Sequence, residues 1–279
     1  MGLTGVIAVT SLPLAAGNVA AAPQPKLTPQ GTIDAPGRTQ ISFTHTPSGT
    51  HYGTANENEA RPGLSIVKLY IADYVFKHGT EADKAKATEM VRYSDDNIAS
   101  ELYGRYPDSI NATAREYGLS NTHGAGHWGK STTSSADTVK FLEAKKRENT
   151  SDPVLVAMST ASPVAADGYR QDYGTATLPG VIGTKWGWSD DRQSVHASAS
   201  IGPDFSVAAN TYGTKETHTS DVQNAFDGTL GTPSLPDIPG VPNLPESPNL
   251  GELLNLPESP QLPQIPGLPD FTGQVPAQF

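Results

Sequence analysis

The chain has no cysteine, which excludes a disulfide framework and thiolate chemistry. It is also poor in positive charge: 19 Lys and Arg stand against 29 Asp and Glu, a formal net charge of −10. Binding a phosphate backbone needs a cationic surface, so nucleic acid is not an expected partner. Apolar residues fill only 36% of the 279 positions, because 27 glycines and 24 prolines occupy much of the length. Part of the chain is therefore expected to stay outside any packed core. Long apolar runs are scarce as well. The opening stretch "MGLTGVIAVTSLPLAAGNVAAAPQP" is interrupted by Pro13 and Asn18, which dilutes it below a membrane anchor. It carries no charge before Lys26 and closes on an alanine run. That composition reads as a secretory signal over residues 1–22, cleaved near Ala20–Ala22. The expected mature chain is secreted or held at the cell envelope, with no membrane span.

What is abundant lies at the other end. From Pro233 to Pro248, and again from Pro257 to Pro269, proline falls on every third position. Polyproline II has three residues per turn, so the prolines stack in one stripe. Leu235, Ile238, Val241 and Leu244 form a second stripe. Residues 231–279 are thus expected to be an extended Pro-rich tail, either a spacer or a rod that docks on a cell-envelope partner or on the domain itself. With residues 23–38 taken as a linker, one folded domain remains over 39–230, an ordinary size for a single unit.

Within it, "QISFTH" and "THYGT" read as two strands joined by the turn "TPSG". Helices are expected over 65–78, 81–93, 96–106 and 108–117, and a further one opens within "STTSSADTVKFLEAKKRE" after its capping residues. Val195, Ala197, Ala199 and Ile201 alternate with polar residues, and "DFSVAANTY" follows the turn "GPD". Strands first, helices in the middle and strands last imply an α+β fold: an antiparallel sheet assembled from both ends of the chain, with flanking helices.

The segment "GLSIVKLYIADYV" (63–75) is nearly all apolar, yet Lys68 follows Ser65 by one helical turn. A buried ammonium is disfavoured unless paired, and desolvation lowers its pKa. A lysine close to neutral beside a serine hydroxyl can accept that proton and generate a nucleophile. The alternative is that Lys68 snorkels to the surface and Ser65 only caps the helix.

Two later motifs bear on that choice. "MVRYSDDNIASELYGRYPDSINATAREYGL" (90–119) resembles the second signature of the serine penicillin-recognising enzymes, the β-lactamases and D-alanyl-D-alanine peptidases. Ser94, Asp95 and Asp96 stand where their Ser-Asp-Asn falls. "GTKWGWSDD" resembles the third signature, a Lys-Thr-Gly on a late strand, with Lys185, Trp186 and Gly187. The likeness covers about residues 40–213, and with the "GHWGKSTTSSAD" stretch it is similar in particular to secreted β-lactamase-like proteins of actinobacteria.

The resemblance implies a β-lactamase/transpeptidase-like fold and a set of roles. Ser65 would attack a carbonyl while Lys68 takes its proton. Ser94 would relay a proton toward the leaving nitrogen, and Lys185 would attract a substrate carboxylate and help polarise Ser94. The N–H groups of Ser65 and Trp188 would form the oxyanion hole. The departures are specific. Asp96 replaces an asparagine and cannot donate as a carboxylate, though it can pair with Lys68. Trp186 replaces a small hydroxylated residue and is expected to add bulk beside the site. Ser65 and Ser94 lie only 29 positions apart, so the helical subdomain is trimmed. Where a deacylating glutamate would fall, the chain reads "NTHGAGHWGK".

His123 and His127 in that stretch are four apart, but flanking glycines argue for a loop rather than a zinc-binding helix; no metal or cofactor is expected. The expectation is an exported serine acyl-enzyme hydrolase or peptidase with slow deacylation, acting on an envelope amide or ester or on a β-lactam. Asp96, Trp186, Gly187 and Trp188 would line its substrate site. A catalytically weak envelope-binding protein of the same fold, and an interaction module working through the proline rod, are the alternatives.

Overall fold

The hairpin written into residues 40–54 seeds a five-stranded sheet. The protein is described here by a computed structural model over residues 21–227. All but the last two residues of the signal segment, and the whole Pro-rich tail, lie outside the described residues. In chain order, β1 (Gln24–Pro25) precedes β2 (Thr39–His45) and β3 (Thr50–Gly53). The last two pair antiparallel with His45 opposite Thr50. Gly49 supplies the left-handed residue of their turn at φ 67°.

β4 (Arg61–Pro62) leads through a 3₁₀ turn, Leu64–Val67, into α1 (Lys68–His78). Next come α2 (Glu81–Tyr93), α3 (Asp96–Arg105), α4 (Ser109–Tyr117), β5 (Thr132–Thr133), α5 (Ser135–Glu148) and α6 (Pro153–Ser159). Their starts are chemically marked: Thr80, Asp95, Ser134 and Asp152 each accept a backbone N–H of the first turn. The chain closes with β6 (Gly183–Trp188), β7 (Val195–Ile201), β8 (Phe205–Tyr212), α7 (Lys215–Ala225) and β9 (Phe226–Asp227).

The sheet order is β3-β2-β8-β7-β6 and every pairing is antiparallel. Both chain ends meet where β2 pairs with β8, as the strand–helix–strand pattern requires. Each face of the sheet buries its own apolar cluster. On one side Val67, Leu69, Ile71, Met90, Leu102 and Phe141 of the helical insert pack on Ala197, Ala199 and Ile201. On the other, Ile41, Phe43, Phe205 and Val207 meet Val222 and Phe226 from the chain's end. Among the described residues no helix is long and apolar enough to cross a membrane.

Three features depart from the sequence reading. Residues 23–38 are not a linker: β1 pairs with β9, and Ala22 and Ile33 are buried in the second cluster. The helix expected from Ser65 starts as a 3₁₀ turn and becomes α-helical only at Lys68. Finally, α6 and α7 were not anticipated. α7 buries little apolar surface beyond Val222 and Ala225, so it has almost no hydrophobic period to read.

Candidate active site

The 3₁₀ turn places Ser65 against the edge strand β6. Leu64, just before it, takes φ 49°, a conformation unfavourable for a residue with a γ-branched side chain. A Cβ built on Gly187 would lie 2.8 Å from Leu64 Cβ and 2.9 Å from Ser65 N. Glycine is thus what allows strand and turn to approach so closely. Ser65 is 7% exposed, and among the described residues its hydroxyl makes no hydrogen bond.

Two N–H groups are uncommitted there. Ser189 N donates to Val195 O, so the odd-numbered residues of β6 bond to β7. The N–H of Trp188 therefore points off the free edge of the sheet. The N–H of Ser65, in the first turn of a helix, has no intrahelical acceptor.

Lys68 and Lys185 are both fully buried. Lys68 does not snorkel. Its Nζ donates to Ser94 O at 2.6 Å and to Asp96 Oδ1 at 2.5 Å, and lies 4.6 Å from the centre of the Trp128 ring. Burial lowers its pKa, while Asp96 and, more weakly, Asp95 and Asp167 pull it back up. Lys185, on β6, places Nζ 2.6 Å from Ser94 Oγ and 3.1 Å from Trp186 O. Its pKa is held well below the usual lysine range, first by burial and then by the charge of Lys68; Asp96 opposes both. Ser94 sits between α2 and α3 in the left-handed region, φ 53° and ψ 34°. There its carbonyl meets one lysine and its hydroxyl the other.

Ser65, Asp96 and Trp188 line one cleft of about 360 Å³, together with Leu64 and Trp128. Gly187, packed against the turn, is not among the lining residues. Trp186 is placed elsewhere. Side chains alternate along a strand, so with Lys185 turned toward Ser94 the Trp186 ring falls on the opposite face. There its Nε1 donates to Tyr173 O at 3.0 Å, and it does not add the bulk beside the site that its position in the motif implied.

Two cleft residues escaped the sequence reading. Asp167, from the segment between α6 and β6, accepts from Trp188 Nε1 and from Arg192 Nη2, each at 3.2 Å. Arg192 stands in the β6–β7 turn at φ 54°. Asp191 braces that turn by accepting from the N–H groups of Gln193 and Ser194. Of the two acids in "SDD" (189–191), Asp191 is a turn former and Asp190 faces the cleft. Only tertiary folding brings these loops to Ser65, so no local spacing could reveal them.

The two histidines have local roles. His123 pairs through its backbone with Thr132, and His127 Nδ1 accepts from Gly129 N at the start of a 3₁₀ turn. Among the described residues no three His, Asp or Glu side chains are grouped to hold a metal ion.

No family model matches the sequence, and no curated protein matches it. Solved structures do. The chain is similar to a β-lactamase from Chitinophaga pinensis, with a TM-score of 0.53 at 14% identity, covering 68% of this chain and 92% of that one. It is similar to penicillin-binding protein D2 from Listeria monocytogenes in its cefotaxime-bound form, with a TM-score of 0.51 at 15% identity, over 72% and 98% of the two chains. A D-alanyl-D-alanine carboxypeptidase from Mycobacterium tuberculosis gives 0.50 at 17% identity, over 71% and 93%.

Proposed function

We propose that this chain, which has the fold of the penicillin-recognising serine enzymes, is an exported serine hydrolase or peptidase. It forms an acyl-enzyme on Ser65 from an amide or ester of the cell envelope, or from a β-lactam, and releases it slowly. The observation that carries this reading is the hydrogen-bonded set of Lys68, Ser94 and Lys185, whose carboxylate partner Asp96 lines the same cleft as Ser65.

Ser65 Oγ attacks the carbonyl carbon. The N–H groups of Ser65 and Trp188 receive the charge that develops on oxygen, each such donor contributing about 3 kcal/mol in acyl transfer. Ser94 and the two lysines handle the proton. Slow release is supported by the engagement of two cleft carboxylates, Asp96 by Lys68 and Asp167 by Trp188 and Arg192, which leaves only Asp190 of the lining acids without a partner among the described residues. Neither of the two engaged carboxylates is free to activate water as the missing glutamate would. The reading of residues 1–22 as a signal supports export.

Intact-mass measurement after exposure to a fluorescent penicillin, and then to a small active ester, tests this. The expected result is a long-lived adduct on the native protein and none on Ser65→Ala. Silence with both probes would overturn the reading. One observation favours a second one, a binding protein without turnover: the Ser65 hydroxyl has no hydrogen bond to Lys68, whose charge Asp96 already answers. Saturable binding of a peptide amide without any adduct would select it.

A further inference from the structure

The two buried amines at the site are not equivalent. Ser94 stands between them, its carbonyl oxygen 2.6 Å from Lys68 Nζ and its hydroxyl 2.6 Å from Lys185 Nζ. Both lysines are 0% exposed, so water stabilises neither charge. One carboxylate serves the pair, and it lies on Lys68: Asp96 Oδ1 is 2.5 Å from that Nζ. The neighbouring acids are engaged elsewhere. Asp95 accepts the N–H groups of Asn97 and Ile98 at the start of α3. Asp167 accepts from Trp188 and Arg192. What remains for Lys185 is the Ser94 hydroxyl and the carbonyl of Trp186, both neutral.

A buried ammonium with no counter-charge, close to a second ammonium, is the form that gives up its proton. With Lys185 neutral, the short contact to Ser94 reads in the opposite sense: the hydroxyl donates to Nζ, and Nζ donates one of its own hydrogens to Trp186 O. Ser94 Oγ is then the polarised oxygen at this site, and Lys68 is a fixed cation.

Building on the acyl-enzyme reading above, we propose that the proton of Ser65 goes to Lys185 by way of the Ser94 hydroxyl, onto which the Ser65 hydroxyl, without a hydrogen bond in the free protein, turns once substrate is seated, while Lys68 remains an ammonium throughout. As the Ser65 oxygen forms its bond to the carbonyl carbon, the π pair moves onto the carbonyl oxygen. The Ser65 proton passes to Ser94 Oγ, and the Ser94 proton passes to Lys185 Nζ. When the intermediate collapses, the bond from carbon to the leaving nitrogen or oxygen breaks. The leaving atom takes a proton from Ser94, which the Lys185 ammonium replaces, so that Ser94 and Lys185 regain their starting protonation while Ser65 carries the acyl group. Asp96 is the residue that divides the roles, because a neutral amide in its place would leave both amines without a counter-charge.

Nitrogen-detected NMR of the lysine Nζ groups through a pH titration tests the charges directly, with Lys68→Arg and Lys185→Arg providing the assignments. At about pH 7 we expect an ammonium signal from Lys68 and a neutral amine from Lys185. If Lys185→Arg does not fold, the Lys68 assignment together with one from Lys145→Arg, the third buried lysine, identifies Lys185 by elimination. Asp96→Asn is expected to lower the Lys68 midpoint by about one unit or more. The pH profile of acylation by the active ester should rise with the Lys185 midpoint, a correlation that a merely structural lysine would not produce. A neutral Lys68 beside a charged Lys185, two charged lysines at a pH where acylation runs, or a profile that follows Lys68 would each overturn the relay and leave the acyl-enzyme standing. A protein that no probe acylates fails the acyl-enzyme reading, and the relay falls with it.

Discussion

The sheet separates two buried polar networks, and their contrast shows what makes one of them a site. On the face away from the cleft, His218 Nε2 lies 2.7 Å from Ser198 Oγ and its Nδ1 lies 2.8 Å from Thr211 Oγ1. Thr211 meets Thr39 at 2.9 Å, Thr39 donates to Asp221 at 2.6 Å, and Arg38 closes the chain on Asp221. Serine, histidine and aspartate thus stand in line, the residue types of a hydrolase triad. Yet Ser198 is 1% exposed, and its hydroxyl also accepts the N–H of Thr175 at 2.8 Å. Each polar atom in this run is answered by the protein itself. At the cleft the reverse holds: the Ser65 hydroxyl and two N–H groups are unanswered, and two amines share one carboxylate. Satisfied groups stabilise a fold; groups left unsatisfied beside an opening are the ones available to a substrate.

The largest effect that sharpens this contrast comes from acid. His218 is fully buried and its pKa is pushed down to about 3, first by burial and then by His196, against Asp221. Below its ordinary 6.5 the unfolded chain takes up a proton that the folded one refuses. Stability present above that pH is therefore lost as pH falls toward 3, by on the order of 4 kcal/mol. Denaturant unfolding across that range should show this slope, and His218→Gln should flatten it. An unchanged slope in the variant would mean that the closed network does not carry the acid sensitivity.

Next in size, Gly187→Val should reduce acylation about a hundredfold by forcing β6 away from Ser65 N and spoiling the alignment of the two donors. Its melting temperature should fall by only a few degrees. Acylation at the native rate would show that strand and turn need not touch. The smallest effect is expected at Ser198→Ala. Removing that hydroxyl leaves His218 and the Thr175 N–H each short of a partner, a loss of about 1–2 kcal/mol in denaturant stability. Acylation of Ser65 should be unaltered. A fall in acylation to match would break the comparison, because it would couple the sealed network to the open one.

How much of this was legible in the sequence depended on whether the information was local. The β2–β3 hairpin, α2 and α5 declared themselves through turn residues, caps and apolar spacing. Ser65, Lys68, Ser94 and Lys185 were singled out because each lies in a short motif with its own spacing and the motifs occur in a recognisable order, and the fold brings Lys68, Ser94 and Lys185 into hydrogen-bond contact. Trp186 was misplaced because a motif names neighbours along the chain, whereas the face a side chain occupies is set by strand alternation. Residues 23–38 looked like a linker because β1 is two residues long and finds its partner, β9, about two hundred positions away. Asp167 and Arg192 reach the cleft from loops whose local sequence says only that the chain turns.

One detail at the site has a consequence for how the protein changes over generations. Ser94 is held at φ 53°, where a side chain with a Cβ is strained by roughly 1 kcal/mol relative to glycine. Asparagine tolerates that conformation better than most residues, and glycine adopts it freely. Replacing Ser94 with either would relax the backbone between α2 and α3 and remove the hydroxyl that meets Lys185, while keeping the carbonyl that meets Lys68. Drift alone would therefore move this position away from serine whenever the hydroxyl ceased to matter. A serine here sets the strain of its backbone against a contact to Lys185 that neither replacement could make.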